Sequence, residues 1–427
     1  MAEQNRAVSA PKGTYDLLPP ESWRWQEVVR TAMDSFARAG YAPVDTPMFE
    51  HTEVFERGVG GASEVVQKQM FTFPDMGGRS LTLRPEGTAP VVRAVLEHRV
   101  ARGALVGSVP VKLAYAGPMF RQERPQRGRY RQFFQVGIEA IGSDNPLLDA
   151  EVVEVGARFL SGVGVQATLL LNSIGHPDPS CREGYLDTLV RYLTDNRDDL
   201  APEDRARIEI NPLRTFDSKE EATAGVMAGA PSIADHLCDA CRKHFAVVRE
   251  ELGGLGVPFE VDPTLVRGLD YYTKTAFEFV VGGLGAQNAV GGGGRYDGLS
   301  EALGGGPLPG IGFDLGIDRI RLARDEQQAT PPEAGMLTAY VVAIGPEAER
   351  AALKLATRLR RAGIGADLHY AGRNVKGQMK EAARSGAPWA VILGADELAE
   401  GRATIKNLSN QEQKTVAVDE LEEHLSR

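Results

Sequence analysis

The chain has 427 residues, 42% of them hydrophobic and 25% charged, an ordinary globular composition long enough for about two to three domains, which excludes a disordered or fibrous protein. No apolar run approaches the roughly 18 to 20 residues of a membrane span and residues 1–13 lack an apolar signal core, so we expect a cytoplasmic protein without membrane attachment. Forty-eight basic against 58 acidic residues give a net charge of −10, which argues against binding nucleic acid through a uniformly basic surface.

Trp25, Val28, Val29, Ala32, Met33 and Phe36 recur at helical spacing, and Gly40 ends the pattern before the extended, proline-punctuated Tyr41 to Pro47. Leu81 to Pro85 reads as a short strand leading into a helix with Val91, Val92, Val95 and Leu96, for which Thr88 is the expected N-cap. Lys112–Glu123 and Tyr130–Ile141 read as two strands of a hairpin joined by the basic Arg124–Arg129 loop. Alternation puts Phe133, Gln135, Gly137 and Glu139 on one face of the second strand and Phe134, Val136 and Ile138 on the other. A polar floor above an apolar face is the expected result. From about residue 172 to 262 the pattern is helical, clearest at Tyr185–Leu193 and Ile233–Leu252, and strand character returns at Tyr271–Val281. That arrangement is an insertion into a mixed sheet domain. Asp325 to Glu333 reads as a linker. Beyond it strands at Ala339–Ile344, Ala366–Tyr370 and Trp389–Leu393 alternate with helices, as in a small α/β domain with a parallel sheet.

Two features invite readings that their details refuse. The glycines clustered between Gly282 and Gly316 have neither a Gly-Lys-Ser/Thr ending nor dinucleotide-fingerprint spacing, so they suggest close backbone approach to a ligand rather than a phosphate loop. Cys238-Asp-Ala-Cys241 with His244 has the form of a metal half-site without a second Cys/His pair, and we read it as helix packing with Leu237 and Phe245. With Cys181 the count of cysteines is three, which makes no even disulfide framework and fits a reducing compartment. The hairpin is more specific: Arg121 can neutralise a phosphate, Phe133 can stack on a base, and a buried Glu139 can read an N–H-bearing group.

With Gly40–Pro47, Phe120–Glu139 and Gly310–Arg319 standing where three class II motifs stand, the chain resembles class II aminoacyl-tRNA synthetases. Leu265–Tyr272 and Gly292–Gly298 are similar to the two signatures of the histidyl-tRNA synthetase family in its bacterial form. The resemblance implies an α+β catalytic domain with a mixed, mainly antiparallel sheet, in two parts (1–172 and 263–325) around a helical insertion (173–262). A linker (326–336) and a C-terminal α/β anticodon-binding domain (337–427) follow. It implies an enzyme that uses ATP with Mg²⁺ to attach histidine to its transfer RNA through a histidyl-adenylate, ending on the ribose 3′-hydroxyl, and that works as a homodimer joined through the first motif.

Residue by residue, the resemblance assigns Glu86, Thr88 and Gln135 to the substrate's α-amino group and Glu139 and Tyr272 to the imidazole. Arg121 falls to the α-phosphate, Glu123 to the adenine amino group, Phe133 and Arg319 to the two faces of adenine, and Arg267 to catalysis. No protein metal ligand is assigned. Imidazole offers one donor and one acceptor, which Glu139 and Tyr272 can match, and a site built on such pairs rejects analogues lacking them by roughly 10⁴- to 10⁵-fold without editing. Asp314 and Asp318 depart from the family pattern, which leaves the ATP and metal contacts beside them unassigned. The alternative reading is a synthetase-like regulatory subunit that binds histidine and controls a phosphoribosyltransferase. Such paralogues usually lack the C-terminal domain and an intact Arg267–Tyr272 signature. The C-terminal segment from Gly335 has 13 Lys/Arg and 12 Asp/Glu, about +1, so the remaining chain has about −11 of the net −10 and RNA contact is expected on local basic patches.

Overall fold

The computed structural model describes residues 8–61, 63–102, 110–285, 288–329, 337–370 and 374–425. The chain forms two units, one mainly of residues 25–330 and the other mainly of residues 331–427.

In the larger unit the strands are β1 (Ala42–Pro43), β2 (Phe49–His51), β3 (Phe71–Pro74), β4 (Ser80–Leu83), β5 (Val111–Phe120), β6 (Gln132–Ile141), β7 (Thr168–Ser173), β8 (Glu260–Val261), β9 (Thr273–Val280), β10 (Ala289–Arg295) and β11 (Gly310–Gly316). Eight form one sheet in the order β1-β5-β6-β11-β10-β9-β7-β8, while β2, β4 and β3 form a small separate one. The six central strands pair antiparallel, and parallel pairing is confined to the edges, β1 with β5 and β7 with β8. The expected mixed, mainly antiparallel sheet is therefore present.

Period-two alternation gives this sheet two unlike faces. On one, Val136, Ile138, Phe277, Ile311, Phe313 and Leu315 are buried against the Glu21–Arg38 and Pro146–Gly162 helices. Phe36 of the first helix meets Phe159 and Phe313 edge-on at 5.6 and 5.7 Å between ring centres, contacts worth about 0.5–1.5 kcal/mol each beyond the area they bury. That helix buries Val28, Ala32 and Phe36 at four-residue spacing and ends where the Tyr41 N–H returns to the Phe36 carbonyl across Gly40, whose φ is +84°. The opposite face holds the polar side chains. Register sets them in rows: Glu139 lies beside Gly312 and then Gly294, and Gly137 beside Asp314, Gly292 and Glu278.

Helices at Arg182–Asp195 and Asp239–Gly254 lie between β7 and β8 in sequence. The continuous helical pattern expected over Ile233–Leu252 is broken. A 3₁₀ turn at Ile233–His236 gives way to extended backbone at Leu237 and Cys238, and a new helix begins with Cys238 as N-cap, its sulfur accepting the Cys241 N–H at 3.5 Å.

The smaller unit is a five-stranded sheet, β12 (Ala339–Ala343), β13 (Ala366–Leu368), β14 (Trp389–Leu393), β15 (Arg402–Asn407) and β16 (Gln413–Ala417), in the order β13-β12-β14-β15-β16. Only β13, β12 and β14 are parallel; β15 and β16 add an antiparallel hairpin, so the expected parallel sheet is a mixed one. The hairpin is hidden in the sequence because Arg402–Asn407 and Gln413–Ala417 are largely polar on their outer face, with Ala403, Ile405 and Val416 supplying the buried side. The Pro346–Arg361 helix buries Ala348, Ala352, Leu355, Ala356 and Leu359 in the unit's core. In the segment expected to be a linker, the Ile317–Glu326 helix occupies the start and residues 330–336 lie outside the described residues.

Candidate active site

The β5–β6 hairpin and the helix after β11 build an open cleft of about 780 Å³ lined by Arg121, Glu123, Phe133, Gln135 and Arg319, together with Glu278, Asp314 and Asp318. Arg121 lies just past β5, where its N–H bonds the Arg131 carbonyl at 2.9 Å and closes the hairpin. Its Nε donates to the Pro85 carbonyl at 2.9 Å, and its guanidinium stands 5.2 Å from the Phe133 ring centre. Glu123 pairs with Arg129 of the basic loop at 2.9 Å. Arg319 stands in the first turn of the Ile317–Glu326 helix with its Nε donating to the Ala289 carbonyl.

Of the remaining expected site residues, Glu86, Thr88, Glu139 and Tyr272 are buried and Arg267 is partly buried. Glu86 is inaccessible to solvent, and its carboxylate accepts the N–H groups of Thr88 at 2.8 Å and Ala89 at 2.9 Å. It is therefore Glu86, not Thr88, that caps the Thr88–Arg102 helix, because a carboxylate two residues before the first turn reaches two of the orphan donors at once. The freed Thr88 hydroxyl donates to Glu139 Oε1 at 2.7 Å, and Tyr296 donates to Oε2 at 2.5 Å. Burial pushes the Glu139 carboxyl up to about 8; the Tyr296 and Thr88 donations pull against this, and the neighbouring Glu86 and Asp314 carboxylates add to it. Tyr272 is pushed up to about 12, by burial first, against the pull of the Arg267 charge. Arg267 stands 5.6 Å from the Tyr272 ring centre and pairs with Glu278 at 2.7 Å. Burial works against its charge, but Tyr272, Glu278 and Asp314 more than offset that and hold it ionised. Arg267 and Tyr272 line a second cavity of about 210 Å³, with Arg182 and Asp270.

The glycines of β10 and β11 lie under close contacts made by the protein itself, the carbonyls of neighbouring strands and three polar side chains. A Cβ on Gly312 would overlap the Glu139 carboxylate; one on Gly292 would stand 2.9 Å from Arg267 Nη1, and one on Gly294 would stand 2.9 Å from Tyr272 Cδ1. Bare backbone gives these three polar groups room to lie flat on the sheet.

The two departures have definite partners. Asp314 projects into the cleft between Gly137 and Gly292 and accepts from the Gln135 amide; burial raises its carboxyl, and Arg267 and Arg121 pull it back. Asp318 opens the helix after β11 and accepts the Tyr15 hydroxyl, with burial again raising its carboxyl. Sequence reasoning missed Tyr296 and Glu278, the partners of Glu139 and Arg267. Tyr296 stood inside the Gly292–Gly298 signature, and an arginine held in a pocket calls for an acid, so each left a signal. It also missed the partners of Cys238 and Cys241. His244 turns away to Asp149 at 2.7 Å, while His176 and Cys181, more than fifty residues upstream, come to the two thiols.

An antiparallel sheet presenting an arginine, an acid and an aromatic from one hairpin, with a further arginine just after a glycine-rich strand, agrees with the relatives and family model below in marking a class II aminoacyl-tRNA synthetase. Residues 13–178 and 190–320 match the family model described as Histidyl-tRNA synthetase, and residues 338–427 match the Anticodon binding domain. The chain is 49% identical over 422 residues to a histidine–tRNA ligase of Halothermothrix orenii, covering 98% of this chain and 99% of that protein. It is 50% identical over 411 residues to that of Moorella thermoacetica, covering 96% of each. The crystal structure of apo Staphylococcus aureus histidyl-tRNA synthetase superimposes with a TM-score of 0.80 at 36% identity, over 99% of this chain and 100% of that one. The chain belongs to the histidyl-tRNA synthetase family.

Proposed function

We infer that this chain is a histidine–tRNA ligase which joins histidine to its transfer RNA in two steps, forming histidyl-adenylate from ATP and then passing the histidyl group to the terminal ribose, at the 3′-hydroxyl. The observation that carries this reading at the level of residues is Glu139: a wholly buried acid with two fixed hydroxyl donors, on the strand face that presents Gln135 and Phe133 to the cleft. Glu139 and Tyr272 read the imidazole; Glu86, Thr88 and Gln135 hold the α-amino group. In the open part of the cleft Phe133 and Arg319 take the two faces of adenine, Glu123 its amino group, and Arg121 the α-phosphate.

Activation is in-line attack of the histidine carboxylate on the α-phosphorus, forming one P–O bond and breaking the bond to pyrophosphate. Two anions approach each other, and the charges of Arg121 and Arg267 offset that repulsion as charge grows on the equatorial oxygens. Magnesium enters as MgATP, neutralising the pyrophosphate that leaves. The smaller unit supplies the anticodon contact, with residues 326–336 joining it to the catalytic part. The enzyme works in the cytoplasm as a homodimer through the first motif; the exposed Met48, Phe49 and Phe73 that follow that motif offer the apolar surface. Among the described residues no helix is long and apolar enough to cross a membrane. Pyrophosphate exchange into ATP, run with each amino acid in turn, tests the assignment: exchange that depends on histidine is expected, and exchange that ignores histidine or prefers another amino acid sinks it.

A further inference from the structure

Four side chains that the reaction does not use converge at the root of the helical segment. His176 follows β7, Cys181 is the N-cap of the Arg182–Asp195 helix, and Cys238 and Cys241 stand at the start of the Asp239–Gly254 helix. Their ligand atoms all lie within 4.8 Å of one another, with His176 Nδ1 at 3.1 Å from Cys241 Sγ and 3.9 Å from Cys238 Sγ. Tetrahedral zinc with Zn–S near 2.3 Å and Zn–N near 2.0–2.1 Å has ligand-to-ligand edges of roughly 3.5–3.8 Å, in the middle of that range. Cys181 and Cys241 are buried and the other two partly buried. We propose that His176, Cys181, Cys238 and Cys241 bind one zinc ion in a closed, structural Cys₃His site.

The surroundings are built for thiolates rather than for packed thiols. The Cys241 N–H points at Cys238 Sγ, and Cys181 and Cys238 each stand at the positive end of a helix. Gly175 lets the chain pass close to Cys181, since a Cβ there would lie 2.8 Å from its sulfur. A divalent cation at the centre takes all three sulfurs as thiolates, with release of their protons. Three thiolates and an imidazole select zinc over the oxygen-seeking cations. Bound there, the metal ties the two ends of the helical segment together next to the site: Arg182, adjacent to Cys181, donates to the Tyr272 carbonyl at 2.6 Å.

The test uses the full-length chain, expressed with zinc supplied and purified without chelator, with metal content measured by mass spectrometry. One zinc per chain is expected for the wild type, and well under half an equivalent for Cys238→Ser and for His176→Ala. The metal-free wild type titrated with Co²⁺ needs no variant to fold; it is expected to give the intense visible absorption and sulfur-to-metal charge-transfer bands of a tetrahedral thiolate site, displaced by Zn²⁺. A wild type that is both zinc-free as isolated and shows only the weak spectrum of hydrated Co²⁺ overturns the proposal. So does stoichiometric zinc that survives in both variants.

Discussion

Thr88 and Glu139, 51 positions apart in the chain, are joined where the Thr88–Arg102 helix starts above β6, with the threonine hydroxyl 2.7 Å from Oε1. Tyr296 takes the other oxygen at 2.5 Å, so both oxygens are oriented before any substrate arrives. A carboxylate has about four lone-pair sites, which leaves acceptor capacity directed by the protein and not by the ligand.

Replacing Glu139 by alanine removes a buried hydrogen-bonding carboxyl from the inferred imidazole subsite. Leaving a buried polar partner unsatisfied costs about 1–3 kcal/mol, so histidine affinity is expected to fall roughly 5- to 100-fold, read by calorimetric titration. Unchanged affinity removes Glu139 from imidazole recognition.

The raised Glu139 carboxyl also makes stability depend on pH. Its value of about 8 in the folded protein exceeds the ordinary 4.5, so the folded state binds the extra proton between them. That contribution is full below the ordinary carboxylate range and is lost as pH rises through about 8. Glu139→Gln keeps an acceptor for Thr88 but cannot ionise. Its melting temperature is expected to gain on the wild type as pH rises through that window, by an amount equivalent to a few kcal/mol or less. A gap between the two proteins that does not change with pH contradicts this. Glu86 and Asp314, raised by burial as well, remain in the variant and keep part of the slope.

Arg267→Ala separates rate from binding. The guanidinium is held charged between Glu278 and Tyr272, and its inferred target is charge that grows only as pyrophosphate leaves. Loss of such a preorganised donor typically costs about 10²- to 10³-fold, expected in the single-turnover rate of adenylate formation with histidine affinity changed far less. A large loss of affinity at unchanged rate assigns the residue to binding instead.

Arg295, inside the glycine-rich signature, has a structural task. It is fully buried and pairs with the equally buried Asp149, which also accepts from His244 at 2.7 Å and Thr275 at 2.6 Å. Breaking a buried pair strands the remaining charge, so Arg295→Met is expected to destabilise the larger unit by about 3–5 kcal/mol in urea unfolding. A loss under about 1 kcal/mol means that Asp149 is satisfied by its other partners.

Removing residues 337–427 is expected to weaken transfer RNA binding and leave histidine-dependent pyrophosphate exchange in place. Aminoacylation kinetics that survive the truncation intact give this unit another role.

The sheet and its two faces were legible because alternation along Phe133–Glu139 is strict, and so were the hairpin's own cleft residues, Arg121, Glu123, Phe133 and Gln135. Partners contributed by distant segments were not. Thr88 has the chemistry of an N-cap, yet Glu86 outcompetes it with two oxygens for two N–H groups. Cys238-Asp-Ala-Cys241 gives half of a four-residue cluster, and the other half lies across a run of helices whose folding no local pattern specifies. The β15–β16 hairpin escaped because its strands bury one narrow face among polar residues.

The fit of Glu139 against Gly312 means that the inferred imidazole subsite is encoded in pairs. Any side chain on β11 at that position collides with the acid on β6, and a shorter acid faces a glycine with no side chain to approach it. A redesign of that subsite therefore has to alter positions 139 and 312, on two neighbouring strands, together.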